Sequence, residues 1–220
     1  MARYTKIPTD TFEKLQINAG FITTSFNPQD GIAAPYFATT GGLTFATNAE
    51  YTDFGDDVDN CPKNTKELKR LTGMNPTLSG TAVTVNAEIC KRFIGAADIH
   101  TRQGGANNTK VTPRLEIDAD NDFADIWFIG DYTNENGESD GKGIALRLIN
   151  AFNTAGFQWT TADRGKGTFA FEFTGHVSIA NQTQLPFEVW FLGAGAPESN
   201  SVTPNVVDDN PDISDEGDGE

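Results

Sequence analysis

Residues 168–174 of this chain read Thr-Phe-Ala-Phe-Glu-Phe-Thr. No other feature narrows the fold as much. Phe169, Phe171 and Phe173 fall on one side of an extended chain, with Ala170, Glu172 and Thr174 on the other. A period of two predicts a strand over 168–179 with one face buried and one face free, because successive side chains point to opposite sides of a sheet. The pattern recurs. Ile144, Leu146 and Leu148 alternate with Ala145, Arg147 and Ile149, and Phe187, Val189 and Phe191 alternate with Glu188 and Trp190. Residues 123–129 are mostly apolar, which predicts a strand buried on both faces. Residues 111–117 and 152–160 supply two more strand candidates, the latter after a turn or bulge at 153–156. With 22 Gly and 10 Pro spread between short apolar runs, the composition fits many turns rather than long helices.

The first half of the chain is more polar. Residues 1–13 read as an extended arm. Leu15, Ile17 and the stretch Phe21 to Phe26 predict a first strand that stops at Asn27-Pro28, and Leu43 with Phe45 marks a short strand over 43–47. Residues 52–63 read as an acidic turn. Two Thr-rich candidates, 64–72 and 77–85, flank Gly73-Met74-Asn75-Pro76 and read as a hairpin with few core residues, which must lean on something outside itself. One helix is expected, over 86–95. Asn86 caps it, Ile89, Cys90, Phe93 and Ile94 share a face, Glu88, Lys91 and Arg92 point away, and Gly95 takes the left-handed position beyond its end. Cys90 is thereby read as a core residue. The fold expected is mainly β: a β-sandwich or curved barrel with one flanking helix and a long arm and loop.

Charge divides the chain in two. Eight of its fifteen net negative charges lie in residues 197–220, which contain no Lys or Arg, so the body keeps a net charge of about −7. We expect a β domain over 1–193, with its arm (1–13) and an extended loop or hairpin (52–76), followed by an acidic disordered tail over 194–220 that buries too little apolar surface to offset its ordering entropy. An acidic body lacks the Lys and Arg that drive nucleic-acid affinity. The opening MARYTKIPTDTFEKL has no signal-peptide core, and no apolar run reaches the ~18 residues of a membrane span. The expectation is a soluble chain folded in the cytoplasm, in which Cys61 and Cys90 stay reduced.

Chemistry finds little purchase in the sequence. Asp118, Asp120 and Asp122 have the spacing that opens a calcium loop, but Phe123 stands where the EF-hand needs Gly and Ile129 where it needs Glu. The run reads better as a turn. Asp53, Asp56, Asp57 and Asp59 read as a solvated loop, and whether loops 53–59 or 118–125 hold a divalent cation is left open. His100 and His176 are the only histidines, with no zinc spacing around them. Cys61 and Cys90 lack a nucleophile signature. Gly104, Gly105, Gly165 and Gly167 are turn glycines, not a phosphate cradle. Asn107 and Asn181 form sequons without a secretion context. No catalytic, cofactor or metal residue is assigned, and an enzyme is not expected.

Four segments carry a family resemblance. TKIPTDTFEKLQINAGFITTSFNPQDG resembles the N-terminal arm and first strand of the tail-tube (major tail) proteins of long-tailed siphophages that infect Gram-positive hosts. FGDDVDNCPKNTKELKRLTGMNPTLSGTAV resembles their long polar loop, VTVNAEICKRFIGAADI their single helix, and the run from Asp122 to Leu192 their C-terminal strand series. Together they span about residues 6–192. The resemblance implies a virion structural protein that assembles in the host cytoplasm into stacked hexameric rings. These would form a hollow tube around a tape-measure protein, bounded by tail-tip and tail-terminator proteins. Double-stranded DNA would pass along the lumen without specific binding, and nothing would insert into a membrane. The arm at 1–13, the loop at 52–76 and the turn at 130–142 are the expected ring-to-ring contacts.

Two other readings compete. One is a carbohydrate- or ligand-binding β-sandwich, which needs an exposed aromatic platform. Trp127 and Trp190 sit in apolar strands and read as core or interface, which leaves Trp159 as the platform candidate. The other is a different phage β-protein, a head decoration or tail terminator, since fold does not fix function.

Overall fold

The computed structural model describes residues 15, 16, 18–29, 31, 33–101, 108–133 and 139–193. The arm at 1–13, Ile17, the glycines at 104 and 105, Asn107, residues 134–138 and the tail at 194–220 lie outside the described residues. Among the described residues twelve strands and one helix follow in order: β1 (Phe21–Thr23), β2 (Thr39–Ala46), β3 (Ala49–Asp53), β4 (Lys69–Met74), β5 (Thr77–Ala82), α1 (Ala87–Ile94), β6 (Ala97–Thr101), β7 (Thr109–Pro113), β8 (Ala124–Thr133), β9 (Ser139–Asn153), β10 (Gln158–Thr160), β11 (Thr168–Thr174) and β12 (Phe187–Leu192).

The long strand β9 organises the molecule. Along one edge it pairs with β8, Ile126 opposite Leu148 and Phe128 opposite Leu146. Its other edge is shared. Residues 143–148 pair with β12 and residues 152–153 with β11. The fork falls at Ile149 and Asn150, where the Ile149 N–H donates to Pro186 and its carbonyl accepts from His176. Asn150 takes a positive φ of 48° there. From this fork β1, β8, β9 and β12 form one layer, and β10, β11, β5 and β2 form the other.

The space between the layers is the core. Ile22, Ile126 and Leu148 from one layer meet Leu78, Ala82, Phe169, Phe171 and Phe173 from the other, and Phe45 touches Phe187 across the gap. All pairing is antiparallel and the sheet stays open, so of the two expected shapes the sandwich holds and closure into a barrel does not. The alternating phenylalanines of β11 all face inward, as their period predicts, but the strand expected over 168–179 ends at Thr174, where the Gly175 and His176 N–H groups turn to the Pro76 and Ile149 carbonyls. β8 is buried on both faces: Ile126 joins the main core, while Trp127 and Ile129 join Phe21, Phe26, Ala33, Ala145 and Leu192 in a second cluster on the outer side.

The helix plugs one side of the sandwich. Asn86 Oδ1 accepts from the Ile89 N–H at 2.8 Å, and the Gly95 N–H closes the last turn on the Lys91 carbonyl. Gly95 has φ +91°, and a side chain there would strike the Phe152 ring, so both backbone and space require glycine. Phe93, wholly buried, sits edge-on to Phe37 and stacks against Phe171 at 5.5 Å. Asn153, buried at the end of β9, donates to the Phe93 and Gly156 carbonyls and accepts from the Glu172 N–H, tying helix, β9 and β11 together.

Several expectations need correction. The candidates 64–72 and 77–85 do not pair with each other. β4 pairs with β3, while β5 enters the main sheet between β2 and β11 and buries Leu78 and Ala82. The physical reason lies in Asn75 and Pro76: the Asn75 N–H bonds back to Asn48, and the Pro76 carbonyl accepts from Gly175, so the chain crosses from ribbon to sheet instead of turning. Residues 52 and 53 of the expected acidic turn end β3. The strand expected over 111–117 is β7, which ends at Pro113, and its partner β6 was not anticipated. Cys90 is half-buried at the edge of the helix rather than in the core.

Candidate assembly interface

The acidic run before β8 is a fastener. Asp122 carries a carboxylate with no solvent exposure; Arg114 grips it through Nη2 at 2.6 and 2.9 Å, and Lys91 of α1 lies 3.8 Å away. The Asp118 N–H donates to the same carboxylate at 2.8 Å, and Arg114 Nε reaches Asp98 of β6 at 2.9 Å. Helix, β6–β7 hairpin and the start of β8 are thereby held together. Asp118 is turned to its own loop, accepting from the Asn121 side chain and the Asp120 N–H. Asn121 and then Asp120 hold the Asp118 carboxyl below the usual carboxylate range.

Asp53 is also spent locally. Its two oxygens accept from the N–H groups of Gly55 and Asn64, both at 2.9 Å. Asp56, Asp57 and Asp59 stay exposed. His100 is exposed on β6, and His176 packs edge-on to Phe123 with Nδ1 3.1 Å from the Asn150 carbonyl. Cys61 lies on the β3–β4 loop and Cys90 on the helix. Among the described residues no group of three His, Cys, Asp or Glu side chains gathers that could hold a metal ion, and no helix is long and apolar enough to cross a membrane.

What the fold does present is surface without an internal partner. The β3–β4 ribbon is paired only within itself. Tyr51 and Leu71 face each other across it, Lys69 lies over the Tyr51 ring, and Tyr51, Phe54, Val58 and Leu71 are all exposed. A two-stranded ribbon is marginal alone in water. β12 is the second such surface. Among the described residues its one partner strand is β9, and its other edge is open. Val189, Trp190 and Phe191 are exposed, Phe191 by 63%. Of the two readings of Trp190, core is ruled out; Trp127, 6% exposed, is core.

The outer face beside β12 holds a charge set that sequence reasoning missed. Arg147 donates to Asp125 at 2.6 and 2.9 Å and to Glu188 at 3.2 Å, and its guanidinium lies over Trp127. Burial opposes the Arg147 charge, but the bonds to Asp125 and Glu188 outweigh it and raise its pKa. The signal was present: Arg147 and Glu188 are opposite charges inside apolar strands, a placement that calls for pairing. An open groove lies here, lined in part by Phe26, Pro28, Arg147 and Trp190.

A larger open groove, about 820 Å3, runs between α1, β7 and β10–β11. Val85, Cys90, Val111, Phe157 and Trp159 line it. Trp159 stacks on Phe169 with ring centres 5.8 Å apart and planes at 20°, leaving its other side to solvent at 64% exposure. Burial pushes the Cys90 thiol up.

No protein-family model matches the sequence, and no curated protein matches it. Solved structures give faint likenesses. The virion of a native gene transfer agent particle superposes with a TM-score of 0.38 at 11% identity, over 73% of this chain and 92% of that one. The tail of an empty gene transfer agent particle, with C6 symmetry, gives 0.39 at 11% over the same shares. The tube-terminating cap of the anti-feeding prophage gives 0.39 at 14%, over 87% of this chain and 95% of that one.

Proposed function

We propose that this chain is a structural protein of a phage tail, one that assembles with copies of itself into stacked hexameric rings forming a tail tube. The observation that carries the reading is a pair of surfaces without a partner strand among the described residues: an open β12 edge bearing exposed Val189, Trp190 and Phe191, and a β3–β4 ribbon whose strands pair only with each other. Exposed apolar edge strands invite pairing with another chain unless they are blocked, and β12 carries no Lys, Arg or Pro to block it. If each surface meets a different, complementary surface on the next copy, one such contact closes a ring and the other stacks rings, the head-to-tail geometry that builds filaments. The sequence resemblance supplies the six-fold number, the tape-measure, tail-tip and terminator partners, and the virion location.

In this reading the subunit does no chemistry. Its acidic body suits a conduit: a wall of like charge repels DNA phosphates and lets the duplex slide without sticking. The recognition-module reading draws on one observation, the exposed Trp159 stacked on Phe169. Negative-stain electron microscopy of concentrated protein, beside size-exclusion chromatography with light scattering, separates the two. Hollow rings or tubes of uniform width are expected, with six subunits in class averages. A chain that remains monomeric even when seeded with tail-tip complexes overturns the proposal and brings the recognition module forward.

A further inference from the structure

The ribbon tip and the Trp159 groove complement each other. The ribbon tip and its loop, residues 53–68, carry Asp53, Asp56, Asp57, Asp59 and Glu67 against Lys63 and Lys66, a net acidic balance, with Phe54 and Val58 exposed among them. The groove is apolar along Val85, Phe157 and Trp159. Its rim is the turn that joins β10 to β11. Trp159 pairs with Phe169 and Thr160 with Thr168, so residues 161–167 follow directly on the groove wall, and Gly167 abuts the Trp159 ring. That turn exposes Arg164 and Lys166 against a single acid, Asp163. An apolar knob of net acidic charge and an apolar groove rimmed by bases thus sit on separate parts of one chain.

We propose that the β3–β4 ribbon tip of one copy docks in the Trp159 groove of the next copy. Phe54 and Val58 enter the groove, and Asp56, Asp57 and Asp59 face Arg164 and Lys166. The inference rests on the self-assembly reading and assigns the contact between rings. Desolvated aromatic anchors supply most of the energy of such a contact, and the charges around them set register and exclude wrong partners.

The chain's two cysteines report on this geometry, because Cys61 stands on the ribbon loop and Cys90 lines the groove. Full-length protein is assembled, treated with a short bismaleimide at mildly alkaline pH, and run on a denaturing gel. A ladder of linked copies is expected, with peptide mapping joining Cys61 of one copy to Cys90 of another, and with either Cys61→Ser or Cys90→Ser removing it. Links of Cys61 only to Cys61, or Cys90 only to Cys90, overturn the docking.

Charge reversal gives a second readout. Asp56→Lys with Asp57→Lys, and separately Arg164→Glu with Lys166→Glu, should each abolish stacked tubes while circular dichroism stays unchanged. An equal mixture of the two double variants should restore stacking, because each basic tip then meets an acidic rim. Tubes that persist in both double variants overturn the docking and leave the tail-tube reading standing. Wild-type protein that yields neither particles nor a ladder overturns both.

Discussion

Arg114 holds both carboxylate oxygens of Asp122, at 2.6 and 2.9 Å, and that carboxylate has no exposure to solvent. Asp122→Asn keeps the shape and removes the charge. The Arg114 guanidinium then loses its main partner, while Lys91 loses its nearby countercharge. Breaking a buried pair from one side costs about 3–5 kcal/mol, and the low end applies because Arg114 keeps Asp98 and some solvent. Urea unfolding should show a lower midpoint with an unchanged slope. Protection from hydrogen exchange should fall first in β6 and β7.

Phe93 is the aromatic hub where helix meets sheet, in ring contact with Phe37, Phe171 and Phe173. Phe93→Ala leaves a cavity in a wholly buried position and should cost about 3–5 kcal/mol. The cap tests the same helix from its end. Asn86→Ala removes the acceptor for the Ile89 N–H and should cost about 1 kcal/mol. Thermal unfolding of the two variants should rank them in that order.

Asp118 gives a pH-dependent signature. Its folded pKa is depressed by the Asn121 side chain and the Asp120 N–H. The contribution to stability is therefore fully present above the unfolded value of about 3.9 and is lost as pH falls through the lower folded value. The carboxyl sits in a surface loop open to solvent, so the effect on stability is slight. Carboxyl-carbon chemical shifts should place the Asp118 titration below the ordinary aspartate value of about 3.9. In Asn121→Ala the Asp118 midpoint should move back up.

The strand pattern made much of this fold legible. Phe169, Phe171 and Phe173 predict a one-sided strand and form it, and Asn86 with Gly95 brackets the helix within one residue at each end. Partner choice was not legible. Nothing in residues 69–74 says that they pair backward to Ala49–Asp53 instead of forward to β5; that follows from where Pro76 and Gly175 meet. The interface was hidden for a different reason. Phe187, Val189 and Phe191 alternate as a core strand does, and only Phe187 is packed against the core. Period-2 alternation shows that a face must be covered, not that the same chain covers it.

That distinction yields the last prediction. Val189 and Phe191 lie on the same side of β12 as Phe187, opposite Leu146 and Ile144, but beyond the reach of the second layer, and the strand's outer edge has no partner. Phe191→Lys places a charge on that uncovered stretch, the device by which natural edge strands refuse further pairing. Phe191 is mostly in solvent, so folding stability should change by no more than about 0.5 kcal/mol. Lateral association should fail, leaving monomers in light scattering where the wild type gives rings. Ribbon-tip reversal should instead leave single rings that do not stack. If Phe191→Lys forms rings as readily as the wild type, the β12 edge is not the lateral contact. A ring would then close through another edge, β1, β10 or β2, and at β2 the Gly41-Gly42 bulge already twists the strand away from pairing.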